Sequence, residues 1–318
     1  MRSRACPVCG SDSHHRVYAE ARFDPSALDE FAFASRKLPE YMHYRLNECR
    51  RCDSLYANPL PTEETLQRAY VDAAFDSGEE ARFASLAYGE FLPRILRRIG
   101  DPDGALDIGT GDGAFLEQLE RHGFRNLVGV EPSAAPVAQA KPHIRGLIRQ
   151  TPFRSTDFTP GSFSLVTCFQ TLEHVPDPQS LCRQAHTLLR NGGALFVVSH
   201  NRRALSARLL GRKSPIFDIE HLQLFSPRSL QYALQRSGFH DIELLPVNNR
   251  YPLRYWLKLL PLPAPLKAEV LGRLRASRLG QLPITLAAGN FAAIAYKRVP
   301  ATQRAGAATR APASVTTH

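Results

Sequence analysis

Residues 105–119 read ALDIGTGDGAFLEQL: a short apolar run, glycines at alternate positions (Gly109, Gly111, Gly113), then apolar residues at helical spacing. A strand, a tight glycine turn and a helix in direct succession open a parallel α/β unit. Glycines there let backbone approach a ligand, because they carry no Cβ. The surrounding pattern agrees. From residue 104 short apolar runs alternate with amphipathic stretches, which predicts strands at 105–108, 126–131, 146–150, 162–169 and 194–199 with crossover helices between them. Asp177 caps a helix that starts at Pro178 and ends at Asn191-Gly192-Gly193. Ser226 caps another, with Pro227 at its first position and Gly238 past its end. Strands near 240–246 and 290–297 complete the sheet.

The rest of the chain divides by composition. Residues 1–58 hold two C-x-x-C pairs and read as a separate small module; 59–99 read as a helical linker or lid, with Thr62 as an N-cap. The α/β domain spans 100–298 and carries a Pro-, Leu- and Arg-rich insert at 248–285; residues 299–318 read as a disordered tail. At 318 residues the chain suits one large domain with an appendage. No apolar run reaches the roughly 18 residues that span a bilayer. The start, MRSRACPVCG, lacks the apolar stretch of a signal peptide, so a cytoplasmic location is expected. The net charge of +10, mostly arginine, suits nucleic acid, an anionic membrane surface or an acidic substrate, or reflects composition alone.

Three nucleotide ligands compete for the glycine turn. No Gly-Lys-Ser/Thr follows, which excludes a P-loop. Counted as Gly109, Gly111 and Ala114, the turn also fits a dinucleotide fingerprint, and Glu131 stands where a ribose acid would in either case. Asp107 decides. A carboxylate at the mouth of the first strand repels a pyrophosphate but suits a cationic ligand with an amino group and a sulfonium.

DIGTGDG therefore resembles motif I of class I S-adenosylmethionine (SAM)-dependent methyltransferases, (D/E)-x-G-x-G-x-G. LVGVEPS, SFSLVTCFQTLEHVPDP, LLRNGGALFVVS and GNFAAIAYKR resemble the later motifs in order, over about 100–298. The family often has Phe-Asp in its fourth strand, where this chain has Phe163-Ser164. The resemblance implies an α/β fold with a Rossmann-like seven-stranded sheet and helices on both faces. It implies SAM held by Asp107, Gly109, Gly111, Gly113, Glu131 and Gln170.

Cys6/Cys9 and Cys49/Cys52 can each present two thiolates, and together they make a closed, four-thiolate structural zinc site. The 39 residues between the pairs exceed the usual ribbon spacing, so a small subdomain must sit between the two knuckles of this zinc-ribbon-like module. His14 and His15 are alternative ligands; Cys168 and Cys182 stand alone. The arrangement resembles the amino-terminal zinc region of sugar C-methyltransferases acting on nucleotide-linked deoxysugars.

Methyl transfer is an in-line displacement that often needs a base. Two Glu-His pairs offer one. Glu173-His174, past the fourth strand, resembles the E-x-x-E-H metal site of ubiquinone-pathway O-methyltransferases, with Gln170 in place of the first glutamate. Glu220-His221, past the fifth strand, resembles the acid–base pair of the sugar C-methyltransferases, and His221 ranks first as base. The reading is a methyltransferase acting at O or C of a small-molecule acceptor or a lipid- or nucleotide-linked glycan. Its rivals are a zinc-ribbon RNA methyltransferase and a non-catalytic SAM-binding protein. The absence of an NPPY-type motif weighs against nucleic acid. The 248–285 insert is expected to be an acceptor lid, and its basic, aromatic character also fits peripheral contact with a membrane surface.

Overall fold

The structure, a computed structural model, describes residues 1–24, 33, 41–71, 73, 75, 78–275 and 277–299. The tail expected at 299–318 lies, apart from Val299, outside the described residues.

Three strands open the chain: β1 (His15–Ala19), β2 (Leu46–Cys49) and β3 (Leu55–Ala57). Helices α1 (Glu63–Val71), α2 (Gly78–Gly89) and α3 (Leu92–Ile99) follow. The α1 start is capped as expected, Thr62 Oγ1 accepting from the Thr65 amide at 3.3 Å. Then strands and helices alternate: β4 (Asp103–Ile108), α4 (Ala114–Arg121), β5 (Arg125–Val130), α5 (Ala134–Gln139), α6 (Pro142–Arg145), β6 (Ile148–Arg149), β7 (Phe163–Phe169), α7 (Pro178–Leu188) and β8 (Leu189–His200). The rest comprises α8 (Leu205–Leu210), β9 (Gln223–Leu224), α9 (Pro227–Arg236), β10 (Asp241–Pro246), β11 (Asn249–Pro252), α10 (Leu253–Leu259), α11 (Ala264–Arg275), β12 (Pro283–Leu286) and β13 (Asn290–Tyr296).

Seven strands form one sheet in the order β10-β13-β8-β7-β4-β5-β6. Strands β4 to β8 run parallel; β13 lies antiparallel between β8 and β10. The two-residue period of the strands sends side chains to opposite faces. Leu106, Ile108, Val166, Cys168 and Val197 join one buried layer, and Ala105, Leu165, Phe196 and Val198 the other. Sequential parallel strands bring their carboxyl ends to one edge. There the glycine turn, Glu131, Gln170 and His200 converge, where ligands bind in such sheets.

One boundary differs from expectation. Helix α7 stops at Leu188, because Leu189 already pairs with Phe163 in the sheet. The Asn191-Gly192-Gly193 turn lies inside β8, and the register shifts between Phe163 and Leu165 to absorb it.

The amino-terminal strands form a second sheet, β1-β2-β3-β9, whose last strand comes from beyond β8. All four cysteines of the C-x-x-C pairs belong to the same buried cluster as Leu106 and Val197. Arg202, with a side chain only 3% exposed, binds the carboxylates of Glu48 and Asp53 across this junction. In the insert, β11 and β12 form a two-stranded antiparallel sheet with α10 and α11 between them in sequence, and Tyr251, Tyr255 and Trp256 pack on the domain. Trp256 Nε1 donates to the Ile284 carbonyl at 2.9 Å. Among the described residues no helix is long and apolar enough to cross a membrane.

Candidate active site

A cleft of about 600 Å³ opens at the carboxyl edge of the sheet, within the range of small-molecule sites. Its walls come from the glycine turn, the segment after β5, the loop after β7, helices α1 and α2, and Glu220.

The turn is built residue by residue for close approach. Gly111 has φ +58°, and a Cβ there would meet nothing within 4 Å, so its missing side chain leaves room on the cleft side. Gly113 has φ +75° and caps α4; a Cβ there would lie 2.4 Å from Ile144 Cγ2. Gly111 is also tied to Glu131, whose Oε2 accepts from the Gly111 amide at 3.0 Å and whose Oε1 accepts from the Ser133 amide at 2.9 Å. Gln170 sits at φ +49°, a rare conformation for a residue with a Cβ, and its amide donates to Val198 O at 2.7 Å.

Asp107 is buried, and both its oxygens are held: Oδ1 accepts from Thr167 Oγ1 at 2.6 Å and Oδ2 from Thr110 Oγ1 at 2.7 Å. Burial pushes its carboxyl up to about 6, the two threonine hydroxyls oppose that, and the Glu131 charge adds to it. Burial also raises Glu131, against the Ser133 and Gly111 amides.

His174 and Glu220, on the wall of the same cleft, belong to the second group of candidates. His174 Nδ1 donates to the Glu220 carbonyl at 3.1 Å, which places the lone pair of the neutral ring on Nε2. Glu220 lies between two imidazoles. Its Oε2 is 3.9 Å from His174 Nδ1, and its Oε1 is 3.9 Å from His221 Nε2. His174 and Glu220 line the cleft; His221 is not among the described lining residues. It is buried behind them, Nδ1 against the Ile216 carbonyl at 2.9 Å, its ring centroid 5.0 Å from that of His174 and 5.1 Å from that of His200. Sequence order could not show which histidine of the two pairs reaches the cleft. Tyr70, to which the sequence reading assigned no role, donates to the Glu220 carbonyl at 3.1 Å and stands edge-on to His174.

Glu173 turns away from this group. Its Oε1 accepts from the His200 amide at 2.8 Å, and burial raises the carboxyl to about 7, opposed by that amide and the Ser199 hydroxyl. An E-x-x-E-H metal site would therefore lack both of its carboxylates. Donor atoms of His174, Glu220 and His221 do lie within 4.8 Å of one another, a spacing that could hold a cation.

The four cysteines come together. Cys6 and Cys52 sulfurs are 3.5 Å apart, as are those of Cys9 and Cys49, and all four lie within 4.8 Å of one another. A tetrahedral zinc with bonds of about 2.3 Å needs sulfurs about 3.8 Å apart, so the residues present fit that ion. Each pair closes a short turn: Gly10 N donates to Cys6 O at 2.8 Å and Asp53 N to Cys49 O at 2.9 Å. Both turn residues have positive φ, which a glycine and an aspartate tolerate. Ser11 and Ser13 hydroxyls meet His14 Nδ1 instead, and neither His14 nor His15 joins the cysteine cluster.

Residues 80–244, just over half of the chain, match the family described as a methyltransferase domain. The chain belongs to that methyltransferase family. The ubiquinone biosynthesis O-methyltransferase of Sodalis glossinidius is 34% identical over 167 residues, covering 45% of this chain and 67% of that protein. That of Aeromonas salmonicida is 29% identical over 218 residues, covering 57% and 91%. A crystal structure of a SAM-dependent methyltransferase from Thermotoga maritima is 18% identical with a TM-score of 0.46, covering 70% of this chain and 93% of that one.

The protein is thus a SAM-dependent methyltransferase. Two outcomes are expected for its cofactor cleft. Glu131→Ala should weaken SAM binding by about 1.5–3 kcal/mol, the worth of charge-assisted hydrogen bonds to a ribose. Calorimetry showing unchanged affinity would place the ribose elsewhere. The second concerns pH. A carboxyl raised to about 6 is neutral below that value, and cationic SAM favours its ionised form. SAM affinity should therefore increase by about tenfold from pH 5 to pH 7 and then level off. Asp107→Asn should flatten that rise, and a rise that persists in the variant would assign it to another group.

Proposed function

We propose that this methyltransferase transfers the methyl group of SAM to a hydroxyl of a small-molecule acceptor, with His174 as general base. The observation that carries the reading is the His174–Glu220 contact on the wall of the cleft that the glycine turn also lines. SAM, when bound, supplies an electrophilic methyl group. Asp107, the turn and Glu131 hold its amino acid and ribose parts, and Gln170 lines the same cleft, in the loop that leads to His174. The acceptor oxygen bonds to the methyl carbon as the carbon–sulfur bond breaks. The oxygen's proton passes to His174 Nε2, and the Glu220 carboxylate stabilises the imidazolium. Glu220-His221 keeps a supporting place, with His221 backing the carboxylate rather than reaching the acceptor.

The relatives named for ubiquinone biosynthesis support an aromatic hydroxyl as the acceptor atom. A nucleotide- or lipid-linked glycan rests on the resemblance of the cysteine module to sugar C-methyltransferases. Incubation with methyl-labelled SAM and a short-chain prenyl catechol, beside a nucleotide-linked deoxyketosugar, tests the two. Label in the catechol supports the proposal. Label in the sugar alone overturns it, and so does none in either with SAM shown to bind. In the same reading Cys6, Cys9, Cys49 and Cys52 hold one structural zinc.

A second reading concerns surface contact. Leu205 and Leu209 on α8 are 69% and 76% exposed, and Arg208, Arg212 and Lys213 flank them. Leu266, Leu279 and Leu282 of the insert are exposed as well. Basic and apolar groups presented together suit an anionic membrane surface, each basic residue contributing about 1 kcal/mol. The insert's aromatic residues pack inward, as in a lid. The expected result is flotation with anionic vesicles and none with neutral ones; equal recovery with both would leave only the lid.

A further inference from the structure

The guanidinium of Arg4, just ahead of the first cysteine, donates to four acceptors on three separate segments. Nε donates to Ala57 O at 3.0 Å, beside β3 and the second cysteine pair. Nη1 donates to Pro176 O at 2.9 Å, in the loop that carries His174. Nη2 donates to Leu222 O at 2.7 Å and to Gln223 Oε1 at 3.2 Å, in the segment that carries Glu220. Gln223 extends the junction: its Nε2 donates to Leu172 O and Val175 O at 2.5 and 2.8 Å, on either side of His174. The amides of Leu222 and Gln223 donate to Glu173 O at 2.8 and 3.3 Å. Arg4 and Gln223 together therefore join the cysteine module, the His174 loop and the Glu220 segment, and Arg4 is the member contributed by the module.

We infer that Arg4 is a positioning residue for the methyl-transfer site, holding the His174 loop and the Glu220 segment in register from the cysteine module. The inference rests on the proposed role of His174 and Glu220. The reason is geometric. His174 and Glu220 lie 46 residues apart and meet where the loop after β7 packs on the segment leading into β9; Arg4 bonds a carbonyl on each of these two segments and the end of β3 besides. A planar fork with donors on three nitrogens can satisfy carbonyls arriving from different directions. A lysine's three donors radiate from a single nitrogen and cannot span acceptors that Arg4 reaches from three separate nitrogens. The amino-terminal module thereby contributes to the His174–Glu220 wall of the cleft without lining it with Arg4.

Arg4→Lys and Arg4→Ala test this in the full-length, zinc-loaded chain. Hydrogen exchange at the Leu222 and Gln223 amides should accelerate about tenfold or more in both variants. Exchange in the glycine turn, zinc content and SAM affinity should stay at wild-type values. With the prenyl catechol as acceptor, kcat should fall about tenfold or more while KM for SAM stays unchanged. Millimolar guanidinium should restore part of the rate of Arg4→Ala. Unchanged exchange at 222–223 overturns the inference, and so does acceleration spread equally over the glycine turn. If Arg4→Ala does not fold, Arg4→Lys keeps the charge and stem and carries the test. A wild-type enzyme that leaves the catechol unmethylated would count against the acceptor proposal alone, since the exchange experiment needs no acceptor.

Discussion

His174→Ala is expected to lower kcat for acceptor methylation by about 10²–10⁴-fold, the usual span for removal of a general base. SAM affinity should change by less than about twofold, because no group that holds the nucleoside or the amino acid part is touched. The reasoning rests on position and tautomer. His174 lines the cleft, and donation from Nδ1 to the Glu220 carbonyl leaves the basic lone pair on Nε2. A phenolic or alcoholic proton has to leave as the new bond forms, and an imidazole lining the cleft can accept it. His221→Ala is the informative control. Buried behind Glu220, it should cost less than His174→Ala and act through the carboxylate. Steady-state kinetics on both variants with calorimetry for SAM checks the pair. A larger loss at His221 would return the base to that residue.

Cys52→Ser is expected to remove the bound zinc and destabilise the whole protein, not only its first 58 residues. Zinc held by four thiolates is worth roughly 10–16 kcal/mol in small domains, comparable with the total stability of a folded protein. Here the consequence spreads because the cysteines are buried in the same cluster as Leu106 and Val197 of the main sheet. Strand β3 pairs with β9, and Arg202 would keep a buried charge whose partners Glu48 and Asp53 flank the lost site. Breaking such a buried pair costs about 3–5 kcal/mol by itself. Elemental analysis of protein purified without added metal should give one zinc per chain, and thermal melting should fall sharply in the variant and with a strong chelator. A reduced, folded wild-type protein without zinc would refute the assignment.

Much of this molecule was legible before any coordinates. The sheet strands, the glycine turn, the Ser226 and Asp177 caps and the acid after β5 are local features. Each is written in a window of a few residues by periodicity, by a missing Cβ or by a side chain that bonds its own helix end. The helix end at Leu188 escaped because the sheet, not the local turn at Asn191–Gly193, decides where Leu189 goes. Both Glu-His pairs are visible in the sequence as candidates, but not the arrangement of their side chains, for a related reason. Both Glu-His pairs look equivalent in sequence, and only packing shows that one histidine faces the cleft while the other backs Glu220, and that Glu173 turns to the His200 amide. Asp107 was read as a group for a cationic ligand, yet its two threonine partners depend on the alignment of β4 with β7, which places Thr167 opposite it. The widest gap was Arg4, whose partners lie up to 219 residues away. Sequence alone determined the fold and the cofactor turn, because those follow from short-range chemistry repeated along the chain. The tertiary structure decided which side chains meet around His174 and Glu220, because a hydrogen bond needs partners within about 3 Å in space and is indifferent to their separation along the chain.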